Sequence, residues 1–295
     1  MKKAYLFPGQ GSQKTGMGWD HYRFHGGFKA RCDQANDILG YRITDVMFNG
    51  PDSTLTQTRY TQPALFVHAL ALYEMLGHHA DMVAGHSLGE YTALAASGVL
   101  KFEDALNAIQ RRGELMQQAG ETHPGSMAAI IGLEDDVVEA ICTEVSSEPD
   151  SGVIPANYNT KGQLVISGHT LAVEEAMDKL KVAGAKLVKK LPVSGAFHSP
   201  LMESARDELN AILDIITFQK PKALVYSNVT GAGSDSPEVI KENLKQQLLK
   251  PVRWTQTIES MHADGARHFV ETGSGNVLQG LVKRTIKEVE VTGFQ

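Results

Sequence analysis

Gly85-His86-Ser87-Leu88-Gly89-Glu90 stands between an apolar lead-in, Asp81-Met82-Val83-Ala84, and a run of small apolar residues, Tyr91-Thr92-Ala93-Leu94-Ala95-Ala96. That order reads as strand, sharp turn and buried helix, with a G-x-S-x-G core at the bend. Glycines flank the serine because so tight a turn leaves no room for side chains. The bend lifts the hydroxyl clear of the sheet and sets the free N–H groups of the helix behind it. One reading is a nucleophilic serine for acyl transfer; the plainer one is a serine in an ordinary strand-to-helix turn. So short a motif arises often by accident, so the decision passes to its surroundings and to the presence of a base.

Working outward, Lys3–Phe7 reads as a first strand and Gln62–Leu76 as a long apolar helix. Met82–Gly85 is the elbow strand, Leu88–Ser97 the elbow helix, and Phe102–Gln118 an amphipathic helix. From Ser126 the pattern changes. Strand Ser126–Leu133, helix Asp135–Val145, strands Val153–Asn159 and Leu164–Ser167, helix Leu171–Ala183 and strand Ala185–Val193 follow in turn. The order βαββαβ is the ferredoxin-like unit. Strands Ala223–Asn228 and Arg267–Glu271 then resume the larger α/β pattern. The expected architecture is an α/β main domain over residues 1–124 and 194–295, an insertion over 125–193, and a ligand cleft between them.

At 295 residues, 42% hydrophobic and 21% charged, the composition is that of a globular protein with a sizeable core. No apolar run approaches the roughly 20 residues of a membrane span. The short apolar start breaks off at Pro8 and is read as strand rather than signal peptide. Cys32 and Cys142 lie far apart without C-x-x-C spacing, which argues against a disulfide framework and a zinc site and for a reducing cytoplasm. A net charge of −6 gives no support for nucleic-acid binding.

Among 11 histidines, His198 stands apart. It lies in Pro192-Val193-Ser194-Gly195-Ala196-Phe197-His198-Ser199-Pro200, a turn-rich segment where the insertion returns to the main domain, and so on the cleft. There it can take the proton of Ser87 during attack and return it to a leaving thiol. His86 adjoins Ser87, but neighbouring side chains in an extended lead-in diverge, so it is read as packing or support. His78, His79, His123 and His262 fall in loops or on polar faces. An oxyanion needs donors, and the Leu88 N–H at the helix start is one. A second is expected from a glycine-rich loop such as Phe7-Pro8-Gly9-Gln10-Gly11-Ser12-Gln13. That loop also mimics a P-loop, but Gln13 replaces the glycine before the lysine, and nucleotide binding is rejected.

Arg112 is the third feature. Phe102, Ala105, Leu106, Ile109 and Met116 form one helical stripe, and Arg112 falls on it, three after Ile109 and four before Met116. A buried arginine requires a partner. That partner is either an internal carboxylate or, functionally, a carboxylate on the substrate.

Together these residues resemble the malonyl-CoA:acyl-carrier-protein transacylase family, the stand-alone acyltransferases of fatty-acid and polyketide synthesis. The resemblance spans the chain. Its signatures stand here as Phe7–Gln13, Thr61-Gln62-Pro63-Ala64, Gly85–Tyr91, Arg112-Gly113, Gly195–Ser199, Pro251-Val252-Arg253-Trp254 and Glu271-Thr272-Gly273-Ser274-Gly275. It implies an α/β-hydrolase-like large domain with a ferredoxin-like insertion. It makes Ser87 the nucleophile, His198 its base, Gln10 and the Leu88 N–H the oxyanion hole, and Arg112 the clamp for the malonyl carboxylate. Gln62 and Asn157 become supporting residues. The main-chain carbonyl of Lys250, where the family often has an amide residue, becomes the orienter of the histidine, with Glu271 as fallback. Phe197 precedes the base as in malonyl users and crowds the acyl α-carbon. One methyl group is worth only about 1–3 kcal/mol, so preference rather than exclusion is expected.

The expected reaction is therefore ping-pong transfer of malonyl from malonyl-CoA to the phosphopantetheine thiol of an acyl carrier protein. No metal or redox cofactor, no nucleic acid and no membrane is called for, and the chain is expected to be a monomer. Lys189, Lys190, Lys283 and Arg284 are candidates for a basic rim facing an acidic carrier. The rival reading is a trans-acting acyl hydrolase that clears stalled carrier proteins. It would use the same Ser87–His198 pair but has no use for a carboxylate clamp. A non-catalytic docking subunit is the third reading, and an intact serine, histidine and oxyanion loop argue against it.

Overall fold

The computed structural model describes residues 2–77, 80–146, 152–193 and 195–295, so His78, His79 and Ser194 lie outside the described residues. Strands β1 (Lys2–Phe7) and β2 (Met82–Gly85) open the fold. Strands β3 (Gly125–Ile131), β4 (Val153–Thr160), β5 (Gln163–His169) and β6 (Leu187–Lys190) occupy the middle of the chain. Strands β7 (Leu224–Tyr226), β8 (Gly233–Ser234), β9 (Ala266–Thr272) and β10 (Glu290–Phe294) close it.

The larger sheet has the order β10-β9-β1-β2-β7-β8 and is parallel except for β8. Strand β1 sits at its middle, which is why Ala4-Tyr5-Leu6-Phe7 is an unbroken apolar run buried on both faces. The carboxyl ends of β1 and β2 are in register, Phe7 opposite Gly85, so the loops leaving them emerge side by side. In open α/β sheets ligands bind at such carboxyl edges.

The smaller sheet has the order β4-β5-β3-β6, antiparallel throughout, with helices Asp135–Val145 and Thr170–Val182 on one face. Strand order and connections are those of the split βαβ pattern expected of this segment. Alternation along β3 sorts its side chains. Ala128 and Ile130 join the core under the two helices, while Met127 and Ala129 face the other way, into the cavity beside Ser87. Backbone also ties β4 to the segment just before helix Trp254–Ala263. Val252 N–H donates to the Ala156 carbonyl at 2.8 Å and Tyr158 N–H to the Val252 carbonyl at 2.9 Å.

Three boundaries near the site differ from expectation. The long helix begins at Thr58 rather than Gln62, with Pro63 inside it. The amphipathic helix continues to Thr122, beyond the expected end at Gln118. The strand expected over Ala185–Val193 is only Leu187–Lys190; Leu191 still donates to the Met127 carbonyl at 2.8 Å, and it and Val193 line the cavity. No helix among the described residues is long and apolar enough to cross a membrane.

Candidate active site

The elbow is closed by backbone packing. A Cβ on Gly85 would lie 1.9 Å from the Gly89 carbonyl group, and one on Gly89 would lie 2.1 Å from the Phe7 carbonyl oxygen. The loop after β1 is equally tight, since a Cβ on Gly9 would come within 2.4 Å of the His86 carbonyl oxygen. Ser87 at the apex has φ +52° and His198 has φ +57°, the left-handed region that non-glycine residues rarely adopt. Among the described residues these are the two non-glycine positions with positive φ, so strain is concentrated on the candidate pair.

Ser87 Oγ and His198 Nε2 are 2.8 Å apart. On the far side of the ring, His198 Nδ1 lies 3.0 Å from the Gln247 carbonyl and 3.2 Å from the Lys250 carbonyl. Carbonyls only accept, so the ring proton belongs on Nδ1 and Nε2 is left bare to accept the serine hydroxyl. Burial, reinforced by the nearby Arg112 charge, pushes the His198 pKa down to about 3, against the pull of the two carbonyl bonds. The fallback orienter, Glu271, is placed elsewhere. Its carboxylate accepts from the N–H groups of Leu278 and Gln279, each at 3.1 Å, and so caps helix Val277–Thr285.

Arg112 is 1% exposed and has no carboxylate within ion-pair distance among the described residues. The internal acid that would have accounted for it is absent from its fork. Its Nη1 donates to Gln62 Oε1 at 2.8 Å, and its Nη2 to Gln247 Oε1 at 3.1 Å and to Ser87 Oγ at 3.2 Å. Its Nε has no partner among the described residues, and its guanidinium carbon stands 5.5 Å from the centre of the Tyr91 ring. A full charge is thus held in the interior by neutral carboxamide oxygens and a hydroxyl. Burial lowers its pKa, while Tyr91 and Glu90 act in the opposite sense.

A cavity of about 320 Å³ opens on Ser87 and His198. Gln10, Asn157 and Phe197 line it, as do Leu278 and Leu281 from the capped helix. No described hydrogen bond uses the N–H of Leu88 or of Gln10, both of which belong to segments bordering Ser87. Gln62 is buried and bridges Arg112 and the Met116 sulfur, consistent with a supporting place. His86 Nε2 lies 2.8 Å from Asn159 Oδ1 and its ring 5.4 Å from that of Trp254, the packing place expected for it. His123 and His262 do not line this cavity. A larger cavity of about 730 Å³, bordered by His123, Ser167 and Asp207, includes none of Ser87, His198 and Arg112. Size does not mark the site; the convergence of groups does.

Three residues of the constellation escaped the sequence reading. Asn228 Oδ1 accepts the Ser87 N–H at 2.7 Å, and its Nδ2 donates to the Gly85 carbonyl at 2.7 Å. Gln247 Nε2 donates to the Ser87 carbonyl at 2.9 Å and to Glu90 Oε2 at 2.7 Å. Glu90 also accepts the Asn228 N–H at 3.3 Å, and burial pushes its pKa up to about 7. Two signals were available: Glu90 is an acid on an otherwise apolar helix, and Asn228 ends a strand at the carboxyl edge. Gln247 sits in a polar helical run and carried none.

The acyl transferase domain model matches residues 4–293. The malonyl CoA-acyl carrier protein transacylase of Staphylococcus aureus (strain COL) is 41% identical over 295 residues, 100% of this chain and 96% of the relative. The chain belongs to the malonyl CoA-acyl carrier protein transacylase family. Solved transacylases share its fold. An acyl carrier protein S-malonyltransferase from Vibrio cholerae superposes with a TM-score of 0.95 at 41% identity, covering 100% of this chain and 97% of that one. A malonyl-transacylase solved in complex with its type II PKS acyl-carrier protein gives 0.96 at 38% identity, covering 100% and 96%.

Proposed function

We infer that this transacylase moves a malonyl group from malonyl-CoA to the phosphopantetheine thiol of an acyl carrier protein, supplying extender units for fatty-acid or polyketide synthesis. The observation that carries the reading is Arg112, a buried guanidinium with no carboxylate in ion-pair distance among the described residues, 3.2 Å from the Ser87 hydroxyl. A substrate carboxylate supplies the missing counter-charge.

In the first half-reaction the malonyl carboxylate pairs with Arg112. Ser87 Oγ attacks the thioester carbon while its proton passes to His198 Nε2. The carbonyl oxygen becomes an oxyanion facing the N–H groups of Leu88 and Gln10. The C–S bond breaks, His198 returns the proton to the departing CoA thiolate, and malonyl is left as an ester on Ser87. The second half-reaction runs the same steps in reverse with the carrier thiol as nucleophile. Lys189, Lys190, Lys283 and Arg284 are exposed and follow or precede cavity-lining residues closely, which supports them as a rim for an acidic carrier. Phe197 in the cavity wall supports a preference for an unbranched acyl group. The proposal includes a cytoplasmic monomer, a reaction without metal or redox group, and the division into a 1–124/194–295 catalytic unit and a 125–193 insertion. The acyl-hydrolase reading is disfavoured because it leaves the Arg112 charge without a purpose.

Intact mass after incubation with malonyl-CoA or acetyl-CoA tests this directly. A malonyl adduct is expected on Ser87, absent in Ser87→Ala and passed on to a holo carrier protein. Arg112→Ala is expected to slow malonyl loading about a hundredfold, as for loss of a buried charged pair, while acetyl loading holds or rises. Equal loading by acetyl-CoA followed by rapid release to water would instead establish the hydrolase.

A further inference from the structure

Glu90 is a carboxylate 1% exposed, in the first turn of the elbow helix Gly89–Ala96, and the chemistry above does not use it. It does not touch Ser87 Oγ, His198 or Arg112 directly. It instead holds the two residues whose side chains hold Ser87: it accepts from the Gln247 side-chain Nε2 at 2.7 Å and from the Asn228 backbone N–H at 3.3 Å. Gln247 in turn donates to the Ser87 carbonyl, and Asn228 accepts the Ser87 N–H. Both main-chain polar groups of the strained serine are therefore tied to residues anchored on one acid, and on the Gln247 side the same NH2 group makes both bonds.

The consequence concerns which way the Gln247 amide points. A carboxamide has an accepting end and a donating end, and swapping them reverses its polarity. The Ser87 carbonyl offers no hydrogen, and Glu90 Oε2, which also takes the Asn228 N–H, is an accepting oxygen whether or not the acid is charged, so the NH2 group must face them. Only then does Oε1 face Arg112 Nη2, at 3.1 Å. Reversed, the NH2 group would oppose the guanidinium and Oε1 would oppose two acceptors. We propose that Glu90 is a positioning residue that fixes the polarity of the Gln247 amide, and through it aims the Arg112 fork at the acyl group on Ser87. This rests on the malonyl reading of the site above.

The ratio of malonyl to acetyl loading, as kcat/KM measured on the full chain, isolates the effect, because it does not depend on how many molecules are folded. In Glu90→Leu, which has no acceptor, the ratio is expected to fall at least about tenfold, the worth of one charge-assisted hydrogen bond. In Glu90→Gln an accepting oxygen remains, and the ratio should stay within about threefold of the parent. Should Glu90→Leu fail to fold, Glu90→Asp replaces it. Glu90→Asp keeps the charge but withdraws the acceptor by about 1.5 Å, one C–C bond, and the same fall is expected. Both rates dropping in proportion would reduce Glu90 to a structural role and overturn the proposal. A fall in Glu90→Gln as deep as in Glu90→Leu would overturn it too, by making charge rather than amide polarity the cause. Absence of malonyl loading in the parent would sink the proposed function instead, so the two failures are distinguishable.

Discussion

At the scale of single residues, Ser87 Oγ stands between two nitrogens with opposite needs. His198 Nε2 takes its hydrogen, while Arg112 Nη2 gives it one. The arginine thus occupies a lone pair of the hydroxyl, and on the proposed reading a malonyl carboxylate is expected to draw it away. An acetyl group cannot, which is why removing Arg112 need not harm acetyl loading. His198 carries a second consequence. With its pKa depressed to about 3 from an ordinary 6.5, it stays neutral as pH falls through 6.5 and is lost as a base only near the lower value. The acetyl-loading rate of the parent should accordingly be level from about pH 8 to about pH 5. A tenfold decline centred on 6.5 would place the histidine at its unperturbed value. Phe197, in the same wall, sets the third expectation: Phe197→Ala should raise methylmalonyl loading relative to malonyl about tenfold, within the 1–3 kcal/mol range of a buried methyl group, read by competition between the two thioesters.

At the scale of elements, the elbow is rigid because backbone fills the space where side chains would be. Gly89→Ala would force a methyl group to 2.1 Å from the Phe7 carbonyl, and β1 cannot retreat from the centre of a sheet. A loss of about 2–3 kcal/mol is expected in urea unfolding, with malonyl loading falling further than stability, since the same shift moves Ser87. Elements also decide how much was legible. Strand β1, the elbow, the helix Asp135–Val145 and the order of the insertion could be read because burial on one or both faces dictates periodicity. Ser87, His198 and Arg112 could be read because each breaks a local rule: a serine between glycines, a histidine in a turn, a charge on an apolar stripe. The helix start at Thr58 was not legible, because Pro63 mimics a first-turn proline while sitting a full turn inside. Gln247 was hidden for a different reason. It follows Lys245-Gln246 at a helix end, with nothing to tell it from Gln246, and only long-range contacts to Ser87, Glu90 and Arg112 show that its side chain points inward. The orienting carbonyl was narrowed to Lys250, and the structure adds Gln247 one turn earlier at the shorter distance of 3.0 Å.

At the scale of the molecule, the cavity takes its floor from the larger sheet and part of its wall from the smaller one, through Met127, Asn157 and Val165. The seam between them carries Trp254, fully buried and packed near His86. In a Trp19→Phe background its fluorescence is a probe of the seam, whereas far-UV circular dichroism reports both sheets. The two signals should follow one urea transition with one midpoint, and separated midpoints would mean that the units melt independently. The backbone ladder of Ala156 and Tyr158 with Val252 has a practical corollary for recombining relatives. Residues 125–193 look like a cassette that could be exchanged to alter acyl preference, since both ends of the segment return to the same neighbourhood. Yet the partner of that ladder lies some sixty residues downstream, two positions after Lys250, whose carbonyl receives the His198 ring proton. A transplanted cassette with a different pitch in β4 would drag on that segment and tilt the imidazole it supports. Crossovers that carry residues 247–254 along with 125–198 keep the donor's cavity wall and the donor's histidine support in one inherited block.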